Sequence, residues 1–134
     1  MPSAETDLSG RWAGFYNYPG GGEPCPFEAD IRDSGGVLTG VTSEPGDRAG
    51  LPEPIVHAVL DGRYSGAAVG FTKIYDHLDL APDPIRYEGT LAPDGDEIEG
   101  RWTIAGLWSG TFLMVRNRGA AEAATVGVGE RVRV

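Results

Sequence analysis

The chain holds a single cysteine, Cys25, among 134 residues, so no disulfide forms within it. Pro24 and Pro26 flank that cysteine, and no histidine or cation neighbours it in sequence. A packed or loop thiol is expected there rather than a nucleophile. Lysine is nearly absent too: Lys73 is the only one. Lysine and arginine together number 11 against 20 acidic residues, a net charge of −9. There is no basic stripe, so nucleic acid is not expected as a partner, and the acidic surface disfavours an anionic membrane. No apolar run is long enough to span a bilayer. Met1 to Asp7 has neither the basic nor the apolar stretch of a signal peptide, and a reducing cytoplasm fits the lone cysteine.

The motifs of common chemistries are missing as well. The chain has no phosphate loop, no glycine-rich dinucleotide turn and no Ser-His-Asp order. Tyr75-Asp76-His77-Leu78-Asp79, with Asp83, lacks the ligand spacing of a zinc or calcium site and reads as a solvated acidic loop. His57 falls on an outward parity, which makes it a surface histidine. No metal and no cofactor are expected. No helical periodicity occurs before residue 119.

What the chain does have is glycine and alternation. It carries 21 glycines and ten prolines, yet 40% of residues are hydrophobic, a mixture that favours short strands joined by tight turns. One phrase recurs inside the alternating runs: a small or acidic residue, glycine, then a strand former. It reads Ser9-Gly10-Arg11-Trp12, Asp61-Gly62-Arg63-Tyr64, Glu88-Gly89-Thr90, Glu99-Gly100-Arg101-Trp102 and Ser109-Gly110-Thr111-Phe112, among others. Glycine within a strand marks a bend or a close backbone approach. Eight runs of period two follow one another, over 8–18, 27–33, 37–43, 55–64, 67–76, 85–92, 97–105 and 107–118. Ser34-Gly35-Gly36, Ser65-Gly66 and Pro93-Asp94-Gly95-Asp96 are turn signals between them. Uniformly short connections and strand-interior glycines favour a closed up-and-down barrel over a sandwich. The expected organisation is a flexible 1–7, an all-β, eight-stranded antiparallel barrel over 8–118, and a tail over 119–134 that docks loosely or adds a strand at an interface.

Alternation also assigns faces. Trp12, Tyr16, Phe27, Leu38, Leu60 and Tyr64 point inward on the first four strands. Phe71, Tyr75, Tyr87, Trp102, Phe112 and Met114 do so on the last four. Glycines 14, 40, 62, 89 and 100 share the inward parity, and the expectation is that they leave an open cavity. Three charges also point inward: Lys73, Arg116 and Glu44. Buried charge must be paired, neutralised or used. One reading makes Lys73 and Arg116 a cationic wall for a carboxylate or enolate. The other pairs Lys73 with Glu44 or an aspartate and leaves Arg116 in water at the rim.

The ordered motifs resemble the avidin–streptavidin family, within the wider calycin group. Leu8-Ser9-Gly10-Arg11-Trp12 is similar to the family's first-strand signature, and Gly36-Val37-Leu38-Thr39-Gly40 to its second hairpin. Val59 to Tyr64 and Val69 to Tyr75 are similar to its fourth and fifth strands. Ile98 to Trp102 and Trp108-Ser109-Gly110-Thr111 fall where it has late tryptophans. The resemblance spans residues 8 to 118. It implies a small-molecule ligand, an aromatic box formed by Tyr75, Tyr87 and Trp102, and a homodimer or homotetramer through the outer faces of the last three strands. Trp108 then matches the tryptophan that family members lend to a neighbouring subunit, and the loop over 44–54 matches a lid. The positions that match the family's biotin-contacting polar residues hold Gly14, Tyr18, Thr42 and Arg116, so a ligand other than biotin is expected. On these grounds the pocket is drawn from Trp12, Tyr16, Thr42, Tyr64, Phe71 and Lys73, with Tyr75, Tyr87, Trp102, Trp108, Phe112 and Arg116. The alternative is a barrel isomerase, cyclase or lyase with Lys73 or a pocket tyrosine as acid/base.

Overall fold

A computed structural model of the chain describes residues 7–49, 51–76, 84–105 and 108–116. The tail over 119–134, the loop around His77 and residues 1–6 lie outside the described residues. Eight strands follow in order: β1 Gly10–Asn17, β2 Cys25–Ser34, β3 Val37–Pro45, β4 Ile55–Ser65, β5 Ala68–Tyr75, β6 Ile85–Leu91, β7 Glu97–Ile104 and β8 Trp108–Arg116. Each pairs antiparallel with the next, and β1 closes onto β8, giving an up-and-down barrel. Closure removes the unpaired edges that an open sheet exposes. A short 3₁₀ helix, Gly46–Ala49, is the only helix among the described residues.

The two-residue β2–β3 hairpin turns on Gly35 and Gly36, both with positive φ, at 62° and 94°. A two-residue turn of that hand matches the twist of the flanking strands, and side chains beyond Cα disfavour it. The β4–β5 turn falls on Gly66-Ala67, one residue later than Ser65-Gly66, because β4 continues through Ser65. β3 likewise runs past Ser43 to Pro45, so Glu44 belongs to a strand rather than to a loop. The connection that follows is fastened: the Gly46 amide donates to the Pro54 carbonyl, and the Leu51 amide to the Gly46 carbonyl.

The alternation holds on every strand. β2 reads buried–exposed from Cys25 to Arg32, and β4 from Val56 to Leu60. Trp12, Phe27, Leu38, Leu60, Phe71 and Met114 are buried as their parity requires, and Leu8, Cys25 and Val69 join them. Eight strands enclose a space that side chains can just fill. One expectation about that space is corrected. The inward glycines do not hollow the barrel. A Cβ at Gly40 would meet the Asp30 carbonyl, and one at Gly62 the backbone of Gly70 and Phe71. At Gly100 it would meet Glu88 and Gly89, while at Gly14 and Gly89 it would meet a neighbouring carbonyl and a phenylalanine ring. Tight coiling brings adjacent strands over these positions, so the space is taken by backbone rather than left for a ligand.

The outer surface is not uniform. Val41, Val59 and Ile74 are exposed and stand side by side across β3, β4 and β5. The outer face of β6 and β7 instead carries Arg86, Glu88, Glu99 and Arg101.

Candidate binding site

Alternate connections of a meander lie at opposite ends. The β2–β3, β4–β5 and β6–β7 turns share one end with Asp7 and Leu8. The β1–β2, β3–β4, β5–β6 and β7–β8 connections share the other.

The first end is closed. Trp12 has no exposed surface, and its indole N–H donates to the Leu8 carbonyl at 2.9 Å. Arg116 stands beside it in register, with the guanidinium carbon 4.8 Å from the ring centre. Its Nη1 donates to the carbonyls of Asp7 at 2.6 Å and Ser9 at 3.0 Å, and its Nη2 to Gly95 at 2.7 Å. Nε faces the Asp96 carboxylate at 3.3 Å. The guanidinium thus ties Asp7, placed in the flexible segment by the sequence, and the β6–β7 turn to the end of β8. Leu8 and Asp33 complete the seal, the Leu8 amide donating to Asp33 Oδ2 at 2.9 Å. Tyr64 belongs here as well: burial raises its hydroxyl pKa, and a hydrogen bond to Asp33 adds to the shift.

The second end holds a pocket of about 100 Å³. Tyr16, Tyr75, Tyr87 and Trp102 form its aromatic wall, with Ile85, Ile104 and Tyr18 at the sides. Tyr18 and Trp102 meet edge to face at 5.5 Å, and Tyr16 meets Trp102 in the same way at 6.2 Å. The Trp102 indole N–H donates to the Asn17 carbonyl at 3.1 Å, which fixes the ring.

Beneath this wall lies a buried ion pair. Lys73 is fully buried and Glu44 nearly so, with Nζ 3.2 Å from Oε1. Glu44 accepts two further hydrogen bonds, from the Tyr16 hydroxyl at 2.7 Å and from the Tyr75 hydroxyl at 3.0 Å. Lys73 donates a second bond to the Tyr87 hydroxyl at 3.3 Å. Its ammonium also lies 4.9 Å from the ring centres of Tyr16 and Tyr75 and 5.2 Å from that of Phe27. Ion pairing, two donated bonds and three aromatic faces offset the loss of water around the ammonium.

Burial pushes the Tyr75 hydroxyl up to about 12; Lys73 opposes that shift and Glu44 adds to it. Burial also raises Tyr16 and Tyr87, and the Glu44 charge pushes both in the same direction. All three remain protonated donors at neutral pH. The Tyr87 ring is clamped, stacked on Phe71 at 4.9 Å and 11° and met edge-on by Phe112 at 4.9 Å.

The residues picked from the sequence therefore divide. Tyr16, Tyr75, Tyr87 and Trp102 meet at the pocket, with Lys73 directly behind them. Phe71 and Phe112 support Tyr87 from below. Trp12, Tyr64 and Arg116 sit at the opposite end, where the Arg116 guanidinium is engaged by the carbonyls of Asp7, Ser9 and Gly95. Its placement in water at the rim is corrected too: the side chain is 6% exposed. Thr42 is buried in register between Ala29 and Ala58, and its hydroxyl has no hydrogen-bond partner among the described residues. The side chain of Trp108 lies outside the described residues; its backbone pairs with Ile104. Tyr18, not among the pocket residues chosen from the sequence, also lines the pocket; the only signal for it was that it stands at a position matching one of the polar ligand contacts of the resembled family. Cys25 is a packed thiol opposite Tyr16.

No protein-family model matches the chain, and a search of the curated proteins returns no match.

Proposed function

We propose that this barrel binds a small, largely apolar molecule in the pocket at its second end. The observation that carries the reading is the asymmetry of the interior. One end is sealed by Trp12 and Arg116, while the other presents four clamped aromatic rings around a pocket with hydroxyl groups at its floor. A concave apolar site with a few convergent polar groups is the usual form of a small-molecule site. The ordered motifs shared with the avidin–streptavidin family favour the same reading. The hydrophobic class of ligand gains support over the anionic one, because the Lys73 charge is already matched by Glu44.

The enzyme alternative draws less support. An amine nucleophile or base must reach a ligand atom, and Lys73 has no exposed surface and two committed hydrogen bonds. Its place is to hold Glu44 and Tyr87. The charges on the outer faces of the strands favour a water-facing barrel, since a lipid-facing one carries an apolar outer band. No helix among the described residues is long and apolar enough to cross a membrane. A homodimer or homotetramer through the outer faces of β6 to β8 is part of this proposal. That side carries a concavity lined by Pro84, Arg86, Glu88, Arg101, Thr103 and Ala105. Light scattering on the purified protein that returns only monomer removes it.

The binding reading is tested by titrating small aromatic compounds into isotope-labelled protein and following amide shifts. Shifts centred on Tyr16, Tyr75 and Trp102, with Trp12 and Arg116 unmoved, are expected. Shifts confined to the outer faces of the barrel, or none, end the proposal.

A further inference from the structure

The hydroxyl protons of the pocket are not equally available. Each tyrosine hydroxyl has one proton to donate, and a carboxylate has none. Tyr16 spends its proton on Glu44 Oε2, and Tyr75 spends its own on the same carboxylate. Lys73 points one N–H at Glu44 and another at the Tyr87 oxygen. Tyr87 is therefore an acceptor in this network, and among the described residues nothing accepts its proton. That hydroxyl belongs to a residue 2% exposed which lines the pocket. A buried donor without an acceptor is unfavourable, and a ligand that supplies the acceptor recovers that cost.

Two features sharpen this donor. The ammonium bonded to the Tyr87 oxygen draws electron density from the O–H, which makes it a stronger donor. The stacked Phe71 and the edge of Phe112 hold the ring, so little ordering is lost on binding. Electrostatics limit what can accept. The nearest cation is already paired with Glu44, and the other inward cation, Arg116, is engaged at the far end of the barrel. An anion entering the pocket would be buried without a counter-charge, beside a carboxylate. A cationic ammonium has no lone pair to accept the Tyr87 proton.

We propose that the pocket selects a neutral, carbonyl-bearing ligand on a planar apolar frame, with Tyr87 donating to the carbonyl oxygen. The proposal rests on the reading of this pocket as a binding site. Four probes of similar shape separate the possibilities: acetophenone, α-methylstyrene, benzoate and benzylamine. Acetophenone differs from α-methylstyrene essentially by an oxygen in place of a methylene. Its affinity for the wild-type protein is expected to exceed that of the other three by about tenfold, the effect of one good hydrogen bond. In Tyr87→Phe that advantage disappears while α-methylstyrene binding stays the same. The infrared carbonyl stretch of bound acetophenone is lowered in the wild type and relaxes in the variant. Equal binding of acetophenone and α-methylstyrene to the wild type overturns the proposal and leaves the pocket standing, as does a benzoate preference. Binding of none of the four at millimolar concentration overturns the pocket reading itself. The wild-type comparison needs no variant, so the test survives a Tyr87→Phe protein that fails to fold.

Discussion

The two ends of this barrel face the same difficulty, an inward cation, and resolve it differently. At the closed end, Arg116 spends its forked donors on the backbone carbonyls of Asp7, Ser9 and Gly95. At the pocket end, Lys73 bonds only to side chains, Glu44 and Tyr87. A planar guanidinium has enough fixed donors to staple several segments of chain, whereas an ammonium is a compact charge that needs a counter-ion. Bonds to backbone lock the chain in place. Bonds to side chains create a network with its own donors and acceptors, and one donor there is left over. The contrast teaches that inward charge by itself does not mark a binding site. What matters is whether its partners are backbone or side chain.

The strongest way to break this comparison is to strip the pocket end of its counter-ion. Glu44→Ala leaves the Lys73 ammonium buried and unpaired and is expected to destabilise the protein by about 3–5 kcal/mol in denaturant unfolding. The double variant Glu44→Leu with Lys73→Met should recover most of that loss, because two matched apolar groups need no partner. A double variant no more stable than Glu44→Ala would refute the pairing as the source of the effect. At the closed end, Arg116→Ala orphans several carbonyls and is expected to lower stability by roughly 2–3 kcal/mol. Arg116→Lys should rescue little, since it cannot form the fork. Neither change should move amide shifts at Tyr16 or Tyr75, and a large response there would erase the distinction between the ends.

Alkali sharpens the comparison with a smaller effect. Burial pushes the folded Tyr75 hydroxyl up to about 12, above the ordinary value of 10.0 that applies once the chain unfolds. The folded state therefore holds its proton more tightly, and that contribution is fully present below the unfolded value. It is lost as pH rises through the window between the two values. Tyrosinate absorbance should consequently lag behind that of free tyrosine and appear together with unfolding. Early ionisation of the pocket tyrosines in still-folded protein would contradict the network. The smallest effect is expected at the surface. Arg11 and Asp30 form an exposed pair at 3.7 Å, and Arg11→Ala should change stability by less than about 0.5 kcal/mol.

Much of the barrel was legible in the residues. Alternation placed eight strands to within a few positions and put Phe71, Tyr87 and Trp102 inside. The aromatics after Gly10, Gly62, Gly100 and Gly110 do share the inward face. The candidate site was legible only as a collection of inward residues. Trp12 and Tyr16 share a strand and a parity, yet one seals the closed end and the other lines the pocket. Parity reports face, not height along the barrel.

The sequence by itself determined the closed, antiparallel barrel and its inner and outer faces, because a period of two is a local property of the chain and the glycine turns set each strand's length. Only the tertiary structure decided that the inward glycines are filled by neighbouring backbone. It chose Glu44, 29 positions away, from the partners the sequence offered Lys73, and carried Arg116 to the other end. Those outcomes depend on how tightly the strands coil and on which residues face one another across the interior. Both are fixed by closure of the whole sheet rather than by any single strand.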